Sequence, residues 1–340
     1  MKIDAFTHFL PPAYGERLMG LGDTPAARSI RKRVSGIPSI MDLDVRLRQL
    51  EEFGDEYRQI ISLPAPPLED IGDAALGRDL ARLANEGQAE LVQENERFLA
   101  FVAGLPLAEV DDAIEEARRA VRELGAAGVQ IYTNVRGAAW DDPRWEPFFE
   151  AMAELDAMIW VHPSRNQTWA DYPGEDRSKY EIWWTLGWPH ETSLFMSRIV
   201  FSGLFDRHPD LKFLTHHGGG TIPQLAGRVA GGWDQLGART PEDERELVAH
   251  DLRRRPLDYF KLFYADTALF GAPHAIASSL AFFGPERILF ASDSPFDPEK
   301  GPGYIRSTIA DLESLDLPEE TLEQIYAGNA QRLLRLGATA

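Results

Sequence analysis

FLAFVAGLPLAEVDDAIEEARRAVRELGAAGVQIYT, residues 98–133, carries the fold in a single unit. Phe98–Leu105 is a short run of apolar and small residues, the length of a buried strand rather than of a helix. From Leu107 to Gly125 the period changes: apolar residues recur at helical spacing, and Gly125 closes the stretch as a C-cap. Gly128–Thr133 returns to strand character. Strand, amphipathic helix, strand describes two parallel strands joined by a crossover helix.

The alternation extends in both directions. Ile3–Phe6 and Arg58–Leu63 precede the unit as strands, and Met158–His162, Lys212–His216, Leu262–Thr267 and Arg287–Ser292 follow it. Trp145–Leu155 is a further amphipathic segment, and Pro318–Leu336 forms a closing helix. Eight strands alternating with helices point to a closed (β/α)8 TIM barrel of the α/β class, over a single domain at 1–340, in preference to an open doubly wound sheet. Two longer insertions, read as irregular, follow strands one and five: Leu10–Met41, and Ser164–Pro189 with Trp169, Trp183, Trp184 and Trp188. In a barrel both lie over the catalytic face. The tryptophans suit an apolar wall for an aromatic ligand or a dimer interface.

Composition narrows the function. With 340 residues and 44% hydrophobic content the chain is at the upper end for one domain, where α/β barrels are common. A net charge of −19 repels phosphate backbones and argues against a nucleic-acid partner, while a locally basic pocket can still accept an anionic substrate. The absence of cysteine excludes disulfides and thiolate metal sites and accords with a cytoplasmic location. No apolar run reaches the ~18 residues of a membrane span, and Met1 leads straight into the first strand with no signal peptide expected.

Placement carries the chemistry. His8 follows strand one, His162 ends strand five, His217 ends strand six and Asp293 follows strand eight. In a barrel all four project towards one axial mouth, and three histidines with a carboxylate form a ligand inventory suited to Zn2+ or Mn2+. The plainer reading of each, a hydrogen-bonded buried polar residue, weakens when four share one rim. The HGGG string at 217–220 does not mark a lipase, because no serine stands in a G-x-S-x-G context. His190-Glu191 is not a zincin pair, since position 194 is Leu, and Gly20-Leu21-Gly22 follows no strand and lacks the third glycine of a dinucleotide loop. No organic cofactor is expected.

The segments IDAFTHFLPP (3–12), GVQIYTN (128–134), VHP (161–163), PHETS (189–193), SGLFDRHPDLKFLTHHGGGTIPQLAGR (202–228), DT (266–267) and ASDSPF (291–296) resemble, in order and over nearly the whole chain, the amidohydrolase-related decarboxylases of the aminocarboxymuconate semialdehyde decarboxylase type. The resemblance implies a (β/α)8 barrel that holds one divalent metal, commonly Zn2+ or Mn2+, and removes CO2 from unsaturated or aromatic carboxylic acids. That family reads ID-x-H-x-H-x-x-P at its start, with His or sometimes Glu two residues before the position of His8; here that position is Phe6. The implied metal ligands are therefore His8, His162 and Asp293, still enough for a mononuclear site with open positions. His217 matches the family's catalytic histidine, directly before Gly218-Gly219-Gly220, and its neighbour His216 does not. The resorcylate-type branch tends to carry Glu where Gly220 stands, which points to the semialdehyde-type branch. Glu191 matches a recurrent family residue, as support for the site or as a helix-start carboxylate. An arginine for a substrate carboxylate is expected in the first insertion at Arg31, Lys32 or Arg33, with Arg33 taken as the candidate. Arg228 matches a family arginine able to reach a neighbouring subunit's site, which implies a homodimer; Tyr132 and Asn134, after strand four, are expected to line the pocket.

These observations predict a metal-assisted, non-oxidative decarboxylase of a small aromatic or conjugated carboxylate, with His217 and Asp293 as catalytic groups. Hydrolysis of a lactone or amide, or hydration of a double bond, is the main alternative on the same barrel. A barrel that binds a ligand without turnover is a third reading, which only Phe6 favours.

Overall fold

The computed structural model describes residues 1–248 and 251–334. Eight parallel strands stand in sequence order: β1 (Lys2–His8), β2 (Tyr57–Ser62), β3 (Phe98–Gly104), β4 (Gly128–Tyr132), β5 (Met158–His162), β6 (Lys212–Thr215), β7 (Tyr264–Asp266) and β8 (Ile288–Leu289). Backbone hydrogen bonds join the two ends of the sheet: Ala5 N donates to Phe290 O (2.8 Å), Asp293 N to Phe6 O (3.1 Å) and His8 N to Ser294 O (2.8 Å). The result is the expected (β/α)8 barrel. β8 is shorter than the sequence suggests because side chains take over its ladder. Thr267 Oγ1 accepts from Ala291 N and donates to Ala291 O, and Asp4 Oδ1 accepts from Ser292 N.

Alternate residues point inward, except where the register of β1 shifts between Asp4 and Thr7 and the adjacent Ala5 and Phe6 join the same cluster. Ile3, Ala5, Phe6, Ile60, Val102, Met158, Trp160, Leu214, Leu289 and Ala291 pack inside the barrel, and a larger apolar shell joins the strands to the outer helices. Trp160 fills the middle, its Nε1 donating to Ala5 O (2.9 Å). A Cβ at Gly128 would stand 2.2 Å from Met158 O and 2.6 Å from the Trp160 ring, so only glycine opens β4 here. Register sets the level of the site: His8 pairs with Ser62 and Tyr132 with His162, all at the C-terminal rim.

The connecting helices follow their sequence signals. Val110–Arg122 lies within the expected Leu107–Gly125, and Gly125 takes φ +76° after it. The first insertion is not irregular: Thr24 caps a helix at Pro25–Gly36 by accepting from Ala27 N, a second helix spans Pro12–Met19, and a 3-10 turn follows at Pro38–Ile40. Its glycines and prolines start and stop helices. In the second insertion a short helix forms at Ile182–Thr185, and residues 187–189 already belong to the helix Gly187–Phe201. The closing helix is described as far as Leu334, with a π-turn at Gln324–Gly328; its expected last residues, 335–336, lie outside the described residues. No helix among the described residues is long and apolar enough to cross a membrane.

Candidate active site

Strand ends bring His8, His162, His216, His217 and Asp293 together at the C-terminal end of the barrel, all of them buried, as the floor of the site. The nearest nitrogens of His8, His162 and His216 lie within 4.8 Å of one another, and so do the ligand atoms of His216, His217 and Asp293. Asp293 is the hub. Its Oδ1 lies 3.2 Å from His8 Nε2 and 3.3 Å from His216 Nε2, and its Oδ2 lies 3.5 Å from His217 Nε2. Asp293 and His217 both adopt left-handed backbone conformations, φ +60° and +55°. For side chains other than glycine such strain persists where the surroundings over-determine it.

Each of the three grouped imidazoles is held from behind through Nδ1. His8 Nδ1 donates to Leu63 O (3.2 Å) and Ser62 Oγ (3.1 Å), and His162 Nδ1 to Pro163 O (2.7 Å). His216 Nδ1 pairs with the Asp266 carboxylate. A backbone carbonyl only accepts, so Nδ1 carries the proton in His8 and His162, and Nε2 is left as a lone pair facing the centre. The Nε2 atoms of His8 and His216 are buried with no hydrogen-bond partner, although both face one carboxylate oxygen at hydrogen-bond distance. A nitrogen lone pair turned on a carboxylate oxygen is repelled unless a proton or a metal ion lies between them, and support of the second ring nitrogen by a carbonyl or carboxylate is the usual pattern of metal-binding histidine. The donor set therefore fits a divalent ion.

The protonation of His8 and His162 agrees. Burial lowers the pKa of His8, and burial together with the nearby His8 and His216 charges takes His162 well below its ordinary value, so both are the neutral imidazoles that a metal needs. Burial also lowers His217, with the His216 charge adding to it. Burial works against the charge of His216 but is outweighed by Asp266 and Asp293, which raise it to about 10. Asp293 is likewise opposed by burial, and the His216 charge beside it holds it well below the carboxylate range.

Phe6 lies among the histidines of the site, fully buried. Its ring centroid is 4.0 Å from that of His216, 5.5 Å from His8 and 6.0 Å from His162. Gly220 closes the site from the other side: with φ +65°, its absent Cβ would lie 2.5 Å from Pro189 O. Only glycine permits this approach between the β6 turn and the helix Gly187–Phe201.

At the same end of the barrel opens a cleft of about 500 Å³, which reaches Pro163, next to His162, and Trp188, against its ring. Arg33, Arg136 and Arg165 line it, with Glu69, Trp183 and Trp188. Of the three basic residues proposed in the first insertion, Arg33 faces the site. It donates to Ala65 O and lies over Phe296 (5.6 Å), whose ring meets that of His8 (5.3 Å). Arg31 is spent on Leu21 O and Asp23. Trp188 stands edge-on to His162 (5.3 Å) and Trp183 to Trp188 (5.8 Å), while Trp184 remains partly exposed and Trp169 stacks under Arg165. Glu191 is buried and pairs with Arg165 (3.0 Å), tying the helix Gly187–Phe201 to the loop after β5.

Other expected residues are placed differently. Tyr132 is buried beside His162 (5.2 Å), its hydroxyl accepting from Gln130. Asn134 spends its side chain on the backbone, donating to Ser164 O (2.7 Å) and accepting from Gly137 N (2.8 Å), so it shapes the loop after β4 and is not among the residues lining the cleft. Arg228 is exposed on the helix Ala226–Trp233 and does not line the cleft of its own chain. The sequence reading missed Arg136, Arg165 and Glu69. The two arginines lie within four residues of the ends of β4 and β5, the signal that marks a barrel mouth. Glu69 is buried, neither carboxylate oxygen has a partner, and burial raises its pKa to about 8, so it is a protonated acid at neutral pH.

The chain is similar to known proteins. A family model described as amidohydrolase matches residues 50–336. The 2-amino-3-carboxymuconate-6-semialdehyde decarboxylase of Dictyostelium discoideum is 30% identical over 99% of this chain and 92% of its own length. A gamma-resorcylate decarboxylase of Rhodococcus jostii is 33% identical over 75% of this chain and 77% of its own. The crystal structure of a dihydroxybenzoic acid decarboxylase from Polaromonas, with bound manganese and the inhibitor 2-nitroresorcinol, superposes with a TM-score of 0.77 at 27% identity, over 99% of this chain and 98% of that one.

Proposed function

This chain belongs to the amidohydrolase family, and we propose that it is a metal-assisted, non-oxidative decarboxylase of a small aromatic or conjugated carboxylic acid, a carbon–carbon lyase. The observation that carries this reading is the cluster of His8, His162 and His216 with Asp293 beside His8 and His216, at the mouth of the barrel near an arginine-rimmed cleft, with the Nδ1 protons of His8 and His162 pinned and a carboxylate held ionised. These three residues would hold one divalent ion, Zn2+ or Mn2+. When bound, the ion supplies Lewis-acid stabilisation of negative charge on substrate oxygens.

The remaining roles belong to the protein. Arg33 and Arg136 give a net acidic chain a locally basic mouth and orient the substrate carboxylate. Trp183 and Trp188 face the ring and keep water from it. As the carbon–carbon bond breaks, CO2 departs and the electron pair stays on the ring carbon. His217, after taking a proton from solvent to become an imidazolium beside ionised Asp293, gives that proton to the carbon and returns to the neutral imidazole. Glu69, neutral and unpartnered, offers a donor to a hydroxyl or carbonyl oxygen of the substrate.

The reading includes a symmetric homodimer in the cytoplasm. Arg228 is exposed and lies outside its own cleft, as a contribution to a neighbour's cleft requires. The chemistry is tested by incubating Mn2+- or Zn2+-reconstituted protein with carboxyl-13C hydroxybenzoates and conjugated dienoic acids in D2O. Release of 13CO2 with one deuterium on the vacated carbon is expected. Retention of the label with cleavage or hydration elsewhere would overturn the proposal.

A further inference from the structure

We propose that His216 is a ligand of the divalent ion: β6 supplies the coordinating imidazole that β1 gives up at Phe6. The inference rests on the reading of this site as a metal centre and adds a residue to it. Three observations converge. First, the His216 ring is prepared as ligand histidines are. Its Nδ1 is fixed by the Asp266 carboxylate, and Asp266 is itself anchored by the backbone N–H of Gly218 (3.1 Å) and Ala268 (3.2 Å). A carboxylate behind an imidazole fixes the ring's orientation and raises its basicity at Nε2.

Second, His216 Nε2 is aimed where the ion must be. It lies 3.3 Å from Asp293 Oδ1, the oxygen that His8 Nε2 meets at 3.2 Å, and both nitrogens are buried without a hydrogen-bond partner. Donor atoms that share an ion at 2.0–2.2 Å stand about 3.4 Å apart at the tetrahedral angle. His162 joins the same cluster. His217 differs: its Nε2 meets the other oxygen of Asp293, at 3.5 Å, and its Nδ1 has no carbonyl or carboxylate behind it, so the ring is not held as the other three are and is assigned to proton transfer.

Third, the two departures on β1 and β6 are physically coupled. Phe6 and His216 lie with ring centroids 4.0 Å apart and planes tilted by 32°. An imidazole at position 6 would set a second nitrogen donor beside His216, whereas the phenyl ring offers none and packs against the His216 ring. The ligand set becomes three histidines and one carboxylate, His8, His162, His216 and Asp293, with the position 6 donor replaced from the opposite side.

The test reads metal binding. Metal-depleted protein is titrated with Co2+, following its visible absorption, and with Mn2+ by equilibrium dialysis. Wild type should bind one ion. His216→Ala should weaken binding at least tenfold and change the Co2+ spectrum, while His217→Ala leaves both as in wild type. Phe6→His in the His216→Ala background should recover most of the affinity by restoring a donor on β1. If His216→Ala fails to fold by circular dichroism, Asp266→Asn keeps the volume and should weaken binding by about 10–100-fold. Unchanged Co2+ affinity in the folded His216→Ala or Asp266→Asn protein, with His8→Ala losing it, overturns His216 as a ligand and leaves the metal centre standing. Wild type that binds neither ion overturns both.

Discussion

The floor and the rim of the cleft are built differently. On the floor, His8, His162, His216 and Asp293 come from strand ends, are buried, and are held by backbone carbonyls, a carboxylate or one another. At the rim, Arg33, Arg136 and Arg165 come from loops and an inserted helix, and they hold neighbouring segments through carbonyls such as Ala65 O, Gly72 O and Ala170 O. The barrel fixes the first set to the geometry of its strands; the second moves with the insertions. The division assigns the reaction to the floor and the choice of substrate to the rim, and substitutions at the two levels should separate kcat from KM.

The largest effect is expected at the floor. His217→Ala should lower kcat by roughly 10²–10⁴ with metal content unchanged. Steady-state kinetics with elemental analysis of the same preparation checks this, and a fall confined to KM would erase the division. At the rim, Arg33→Lys keeps the charge but loses the planar fork, so KM should rise by roughly tenfold with kcat nearly constant. A kcat loss as large as that of His217→Ala would place Arg33 in the chemistry.

The same division decides how much was legible beforehand. The eight strands, and the histidines and aspartate at their ends, follow from period and order along the chain, because a strand end in a barrel has one direction to point. His216 was set aside for its neighbour, since sequence adjacency does not reveal that β6 ends at Thr215 and that both imidazoles then turn towards Asp293. The rim resisted reading. Whether Arg31, Lys32 or Arg33 enters the cleft depends on the rotation of a helix taken for a loop, and Asn134 is drawn into a turn by Ser164 and Gly137. Glu69 carries no motif. Its burial without a partner is a tertiary fact.

Glu69 gives a smaller effect with a definite sign. Its pKa is about 8 in the folded chain, against an ordinary 4.5. Below 4.5 both states hold the proton. As pH rises from 4.5 to 8 the unfolded chain releases it and the folded chain keeps it, so stability falls across this window, by on the order of a few kcal/mol. Urea denaturation at pH 5 and pH 8 should show wild type losing more stability than Glu69→Gln; equal losses would mean that Glu69 is solvated. The smallest effect within one chain is expected at Arg228. Arg228→Lys should leave kcat unaltered and raise KM modestly through the neighbouring subunit, with light scattering reporting a dimer. A fully active monomer would remove the shared site.

The central claim, that ionised Asp293 with His8 and His162 holds a divalent ion on which loss of CO2 depends, is tested most directly by titrating metal-depleted protein with Mn2+ while trapping 13CO2 from a carboxyl-labelled substrate. The rate should rise in proportion to added ion and level off at about one equivalent per chain. Undiminished 13CO2 release from protein stripped of metal, unaffected by added Mn2+ or Zn2+, would contradict it.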